Sequence, residues 1–305
     1  MAASAPAARW APARPSAALG IALMLLGMFL FSANDALGKW LVATYSVGQV
    51  LLLRSAAALL VLGPALWRWG LPRLLAVERP GLQAARVAFS TGEVVCFYGA
   101  VTLLPLADAM TFWMAAPILV AAASPLLLGE RVGAWRWLVI AAGFGGVLLA
   151  LRPFGEGAGQ GWAVAVALLG TGCFAAMVLT GRQLRGTPDT TLVFWQTAGA
   201  LLAGLLLAPW GWTGPGALDA GLLGLLGVIA MLAHLCVNRA LKLAPAAVVA
   251  PFQYTLLPWA VVLGWTFFGD RPHPATLLGA AVIVAAGLAL ALGERRRSGY
   301  DTQAQ

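Results

Sequence analysis

Ten apolar runs, each about 20 residues long and so the length of a bilayer-spanning helix, follow one another along this chain. They fall at 16–38, 47–67, 83–104, 107–128, 132–151, 161–182, 190–210, 217–238, 245–267 and 275–293, with short connections rich in Pro, Gly and Arg between them. In hydrocarbon every backbone N–H and C=O must pair internally, and runs of this length do so as α-helices. The predicted fold class is therefore all-α integral membrane. Composition agrees: 61% of the 305 residues are hydrophobic and 10% are charged, against about 25% charged in soluble domains.

A formal charge of +8 would suit a polyanionic partner, but the basic residues are scattered singly or in small groups between the apolar runs, where they act as topology signals. Nucleic acid is not expected as a partner. With the N-terminus inside, fifteen of the nineteen Lys and Arg residues fall in inner segments, three (Lys39, Arg152 and Arg271) in outer ones, and Arg54 within a span. That bias predicts cytoplasmic termini and a place in the plasma (inner) membrane. Arg9, Arg14 and Phe31-Ser32-Ala33 loosely imitate a secretory signal, yet the run is long and many others follow, so the first helix is predicted to stay. Residues 1–15 are expected to be a disordered cytoplasmic tail and 294–305 a second one. Cys96, Cys173 and Cys236 all lie in apolar runs, an odd set that makes no disulfide framework.

The chain resembles itself. At an offset of 140, CFYGAVTLLP (96–105) matches CVNRALKLAP (236–245), Phe112 lies over Phe252, and Gly129-Glu130-Arg131 lies over Gly269-Asp270-Arg271. At an offset of 143, Phe31 lies over Phe174, Gly38 over Gly181 and Lys39 over Arg182. The expected domains are thus two five-helix repeats, 16–152 and 161–293. Because five is odd, the second enters the membrane from the opposite side. Such inverted repeats place the solute site of secondary transporters at the midplane between the halves.

The stretches 104–151 and 244–292 each run from a Pro-containing helix through a Gly-Glu-Arg-like turn to a Gly-rich last helix. In this they resemble the closing portion of an EamA domain, and with FSANDALGKW (31–40) the chain is similar to the drug/metabolite transporter superfamily. Asp270 stands where that turn usually carries Glu. The resemblance implies a ten-helix carrier of small organic solutes such as amino acids, nucleotide-related metabolites, riboflavin or S-adenosylmethionine.

Ionisable groups within spans cost about 2.5–3.5 kcal/mol on insertion scales and are candidates for function. Glu93, mid-span, can exchange a proton or meet a solute amine. Arg54 can pair with Glu93, bind a solute carboxylate or phosphate, or snorkel. Asn34 and Asp35 are expected to face a central cavity, while Lys39, one turn on, reads as a helix-end anchor within reach of Asp35. His234 falls beside the counterpart of Glu93 and can carry protons or pack as a core residue. Tyr98, Phe112, Trp113, Gln196, Gln253 and Tyr254 complete the candidate cavity. Pro117 and Pro258 are candidate gating hinges. Trp40, Trp67, Trp69, Trp135, Trp137, Trp210 and Trp212 read as an interfacial belt.

The predicted function is secondary transport by alternating access of a small-molecule solute, with protons as a candidate coupling ion. Arg54, a carboxylate and aromatic faces suit an amino acid or related zwitterion; a larger planar metabolite such as riboflavin or S-adenosylmethionine is the alternative. A non-transporting sensor or assembly subunit, and an intramembrane enzyme, are the readings from other classes. No phosphate-binding loop, HExxH or GxSxG motif is present, and no cofactor or metal is expected. The other expected partners are membrane lipids, with the chain acting as monomer or homodimer.

Overall fold

The computed structural model describes residues 17–303, apart from 71–73, 75–76, 78, 129–132, 152–160, 185 and 244–249. The expected N-terminal tail, the Gly129-Glu130-Arg131 turn, Arg152, Arg185 and Pro245 lie outside the described residues. Every regular element among those described is a helix. They are α1 (Ala17–Val42), α2 (Val47–Trp69), α3 (Pro80–Val101), α4 (Leu106–Trp113), α5 (Ala116–Leu128), α6 (Ala134–Leu151), α7 (Gly161–Gln183), α8 (Asp189–Leu207), α9 (Ala217–Leu243), a 3-10 helix (Ala250–Thr255), α10 (Leu256–Phe268) and α11 (Pro274–Gln303).

Ten spans come out of this set because the fourth and ninth are each built in two pieces. α4 and α5 divide at Met114–Ala115, and the 3-10 helix gives way to α10 after Thr255. Proline supplies the reason. Pro117 lacks an N–H for the Trp113 carbonyl four residues back, and Pro258 does the same to Tyr254. Ala115 then turns more tightly, donating to Phe112 O at 3.0 Å, and each proline sits in the first turn of the helix that restarts, where a missing N–H costs nothing. The expected hinges are thus breaks rather than kinks. The last helix differs too: its backbone stays helical to Gln303, past the start of the expected tail at 294.

The repeat is visible in the packing. α1 lies chiefly against α9 and α3 against α7, while α2 pairs with α8 and α6 with α11. Each of these pairings joins one repeat to the other, and the first two exchange under the offset that relates the halves. Element boundaries follow it as well: α5 and α10 start at Ala116 and Leu256, and α6 and α11 at Ala134 and Pro274, both 140 residues apart. Glycine lets α6 and α11 touch, since a Cβ on Gly279 would meet the Gly146 carbonyl oxygen at 2.5 Å.

Side-chain exposure is that of a chain in lipid. Leu60 (78%), Leu126 (88%) and Phe267 (71%) point outward, far beyond what water tolerates as a continuous surface. Trp40, Trp67, Trp135, Trp137, Trp210 and Trp212 are exposed as expected of a belt. Six helical stretches are long and apolar enough to cross a bilayer, with shorter apolar helices beside them.

Candidate functional site

Three helices of the first repeat bring its polar residues together. α1 carries Asn34 and Asp35, α2 carries Arg54, and α3 carries Glu93 and Tyr98. α1 can approach α3 this closely because position 38 is glycine: any Cβ there would strike the Tyr98 ring. Gly227 of α9 does the same for α2, leaving room for the backbone carbonyl of Arg54. Trp113, the last residue of α4, closes the group, its ring lying where a Cβ on Gly170 of α7 would come within 2.5 Å.

Within the group, Arg54 donates to the Tyr98 hydroxyl and lies over its ring, 5.5 Å from the centroid. Trp113 Nε1 donates to Glu93 Oε1 at 2.8 Å. Asn34 Nδ2 donates to Asp35 Oδ1 at 3.1 Å, while the buried Asn34 Oδ1 has no hydrogen-bond partner among the described residues. Phe97 forms an aromatic wall, its ring centroid 5.3 Å from Trp113 and 5.5 Å from Tyr98.

The Arg54–Glu93 ion pair, one of the three readings open for Arg54, is not formed. Each group instead meets an aromatic donor or acceptor: Tyr98 for the guanidinium, Trp113 for the carboxylate. Lys39 also corrects the sequence reading. Rather than pairing with Asp35, it reaches Asp270 Oδ2 at 2.5 Å and the Leu104 carbonyl at 3.3 Å, with its side chain 13% exposed. Helical spacing permitted the Asp35 contact, but Asp270 presents a better acceptor. Gly269 takes up a left-handed conformation (φ 66°) to end α10, and the turn aims the next carboxylate at Lys39 and at the Leu106 N–H of α4, which donates at 3.0 Å.

The same end of the bundle has two further ties between the repeats. Tyr45 donates to Asp219 at 2.5 Å, and that carboxylate holds the phenol above its ordinary pKa. Gln49 donates to the Thr213 carbonyl at 2.6 Å and accepts from its N–H at 3.1 Å.

The remaining candidates scatter around this group. His234 stacks edge-on against Phe31 at 4.8 Å and, with Arg54 and Gln196, lines a small cavity between α2, α3, α8 and α9. Gln196 accepts from Arg86 at 3.4 Å. Phe112, 3% exposed, is part of the apolar core. Tyr254 turns away toward α11, its hydroxyl seated over Gly287. Gln253 is half-buried in the 3-10 helix, while Pro117 and Pro258 both face outward. Arg86 was counted in the sequence as a topology signal. It is instead half-buried along α3, bonded to Leu192 and Gln196, and its three-residue register with the buried Gln83 and four-residue register with the buried Ser90 was the signal available. A wider groove between α6 and α11 is lined by apolar residues such as Trp135, Leu138 and Val282; without polar groups it cannot orient a solute.

The pattern of the EamA-like transporter family matches residues 18–152 and again 161–292. The chain is 30% identical over 296 residues to a riboflavin transporter of Rhizobium johnstonii, covering 92% of this chain and 93% of that one. It is 31% identical over 281 residues to the pseudopaline exporter CntI of Pseudomonas aeruginosa, covering 89% and 95%. An S-adenosylmethionine uptake transporter of Rickettsia conorii is 24% identical over 288 residues, covering 94% and 97%. A solved crystal structure of 18% identity superposes with a TM-score of 0.60 over 93% of this chain and 99% of its own, a likeness of fold. These relatives are transporters and not enzymes, and the chain is itself a small-solute membrane transporter belonging to the EamA-like transporter family.

Proposed function

We propose that this protein is a secondary carrier working by alternating access, and that its solute binds at the Asp35–Arg54–Glu93 group. The observation that carries this reading is the gathering of two carboxylates, one guanidinium and the Tyr98 and Trp113 rings by the first repeat at its broken fourth span, where Trp113 packs against Gly170 of the second. Polar groups of this kind face a bundle interior or a solute path, because lipid cannot satisfy them. A zwitterionic metabolite fits them best: its cationic end lies toward Asp35 and Glu93, its acidic end toward Arg54, and any ring against Phe97 and Trp113. Amino acids qualify, and so does S-adenosylmethionine, which carries an amino-acid zwitterion on a nucleoside.

Glu93 is the coupling group of this reading, exchanging its proton as the solute enters and leaves. The Lys39–Asp270 pair is the closure of the extracytoplasmic end, and both termini lie in the cytoplasm of a cell whose inner membrane holds the protein. A planar, uncharged solute is the second reading, supported by the riboflavin transporter among the relatives.

Counterflow into liposomes holding the purified protein tests these readings. Exchange of labelled S-adenosylmethionine, or competition by amino acids, supports the zwitterion. Exchange of riboflavin alone replaces it with the planar solute. No exchange of any member of a broad metabolite panel would overturn the carrier mechanism.

A further inference from the structure

α6 and α11 meet through glycine. A Cβ on Gly279 would lie 2.8 Å from the Ala150 nitrogen, and one on Gly146 would lie 2.9 Å from the Ile283 side chain. Contacts that run from Ala150 to Gly279 and from Gly146 to Ile283 make the helices antiparallel, so α6 begins where α11 nears its end. Toward that end, past the glycines, a groove of about 380 Å³ opens between them. Val139 and Ala286, both buried, form its floor, while Trp135 and Leu138 stand at its rim, 62% and 66% exposed. Its lining is apolar. From Ala142 to Trp135, and from Val282 to Ala289, it spans seven residues, about 10 Å along each helix. That is about two thirds of one leaflet of a hydrocarbon core about 30 Å thick.

The charges stand just beyond the mouth. α11 runs for 30 residues, about 45 Å of helix, and so outruns the hydrocarbon by several turns. Arg296 follows Ala285 by eleven residues and Ala289 by seven, which keeps it on the stripe that lines the groove, and Arg297 is next to it. Glu294 and Asp301 fall about 120–140° round the helix from Ala289, and Arg295 about 120° the other way, at 100° per residue. On α6, Arg136 follows Trp135 in the first turn. Apolar hollow, interfacial tryptophan and arginines thus succeed one another in the order of acyl chain, glycerol region and phosphate in a phospholipid.

We infer that this groove is a seat for one anionic phospholipid, an acyl chain lying between Ala142 and Ala289 and the phosphate at the level of Arg296, Arg297 and Arg136. A second copy of the chain suits it less well. Two copies in one membrane pair about an axis along its normal, which would set the same arginines against each other at the same end. The seat lies apart from the Asp35–Arg54–Glu93 group and stands whether or not that group binds solute.

Native mass spectrometry of the full-length protein, released from a mixture of equal phosphatidylglycerol and phosphatidylcholine, reads the lipid directly. Wild type should keep one phosphatidylglycerol, favoured about tenfold over phosphatidylcholine, and R296Q/R297Q should cut its retention by about fivefold for each arginine removed. Ala285→Trp changes an exposed position, fills the groove and leaves every arginine in place; it should displace the lipid by about tenfold. Leu60→Trp, at an exposed position of α2, should not. Equal retention of both lipids by wild type would overturn the seat, as would phosphatidylglycerol held undiminished by R296Q/R297Q or by Ala285→Trp. A wild-type dimer lost in Ala285→Trp would overturn it in favour of a second copy. Excess glycerol 3-phosphate should leave the lipid bound; its displacement of the lipid would show a phosphate site that does not need the groove, and would overturn the seat as well.

Discussion

The two repeats share a scaffold and not a chemistry. Applying the offset of 140 to the first repeat's polar residues gives Ala233 for Glu93, Asn238 for Tyr98 and Gln253 for Trp113; the offset of 143 gives Met177 and Val178 for Asn34 and Asp35. The near counterpart of Arg54 is Gln196. Helix pairings and break points obey the symmetry, yet the charge cluster sits on one side of it. Packing needs only shape, so both halves keep the small residues and prolines that shape the bundle. A solute lacks such symmetry, and a site that recognises it need be built only once.

The sharpest way to break this comparison is at Glu93. Glu93→Gln keeps the size and the Trp113 contact but removes the exchangeable proton. Uptake driven by a proton gradient should fall by about 100-fold, in line with a lost acid–base step, while gradient-free counterflow persists and the protein elutes as a folded species. Unchanged proton-driven uptake would remove Glu93 from coupling.

A smaller effect is expected where the repeats meet. Asp270→Asn removes the acceptor charge facing Lys39, and a partly buried ion pair broken on one side weakens closure of that end. Cysteine-reactive probes at positions near Leu104 should label about fivefold faster, taking a closure weakened by roughly 1 kcal/mol. Labelling at the wild-type rate would mean that the pair holds nothing shut.

Two matched glycines sharpen the comparison through stability. A Cβ at Gly38 strikes the Tyr98 ring, whereas at its counterpart Gly181 the nearest atom, Arg86 Nε, is 3.5 Å away, an ordinary contact. Gly38→Ala should therefore destabilise by about 1–3 kcal/mol, as overpacking does, and Gly181→Ala should be neutral or slightly stabilising. Melting curves in detergent read both; equal shifts would deny that α1 approaches α3 as described.

The smallest effect is at Tyr45. Its phenol is held above the ordinary range because it donates to Asp219, so the folded state prefers the protonated form. The stabilisation is present below the unfolded pKa of about 10 and lost as pH rises through the higher folded value. Tyr45→Phe should lower the melting temperature slightly at pH 8, and the gap to wild type should close above about pH 10. A gap that persists at high pH would assign the loss to packing.

Much of this fold was legible in the sequence. Apolar length and the placement of arginines gave ten spans, and the offset gave two repeats, because lipid constrains both span length and loop charge. The breaks after Trp113 and Thr255 were readable only as prolines, since sequence does not say whether a helix bends or restarts. Glu93, Arg54 and Asp35 were found because ions are rare within spans, and Tyr98 and Trp113 because aromatic faces complete a cavity. Which residue each would meet was not legible, as Trp113 reaches Glu93 from another helix and Asp270 reaches Lys39 from 231 residues away. Arg86 was missed for a related reason: an arginine near a helix end looks like a topology signal until its bonds to Leu192 and Gln196 of another helix are seen.

Equilibrium binding of a transported solute to nanodisc protein, compared between Arg54→Ala and Gln196→Ala, tests most directly whether one repeat alone holds the primary site. Loss of a buried charged contact should weaken binding by about 100-fold in Arg54→Ala, against about threefold for the neutral amide in Gln196→Ala. Equal losses, or the larger loss at Gln196, would contradict a solute site built by the first repeat.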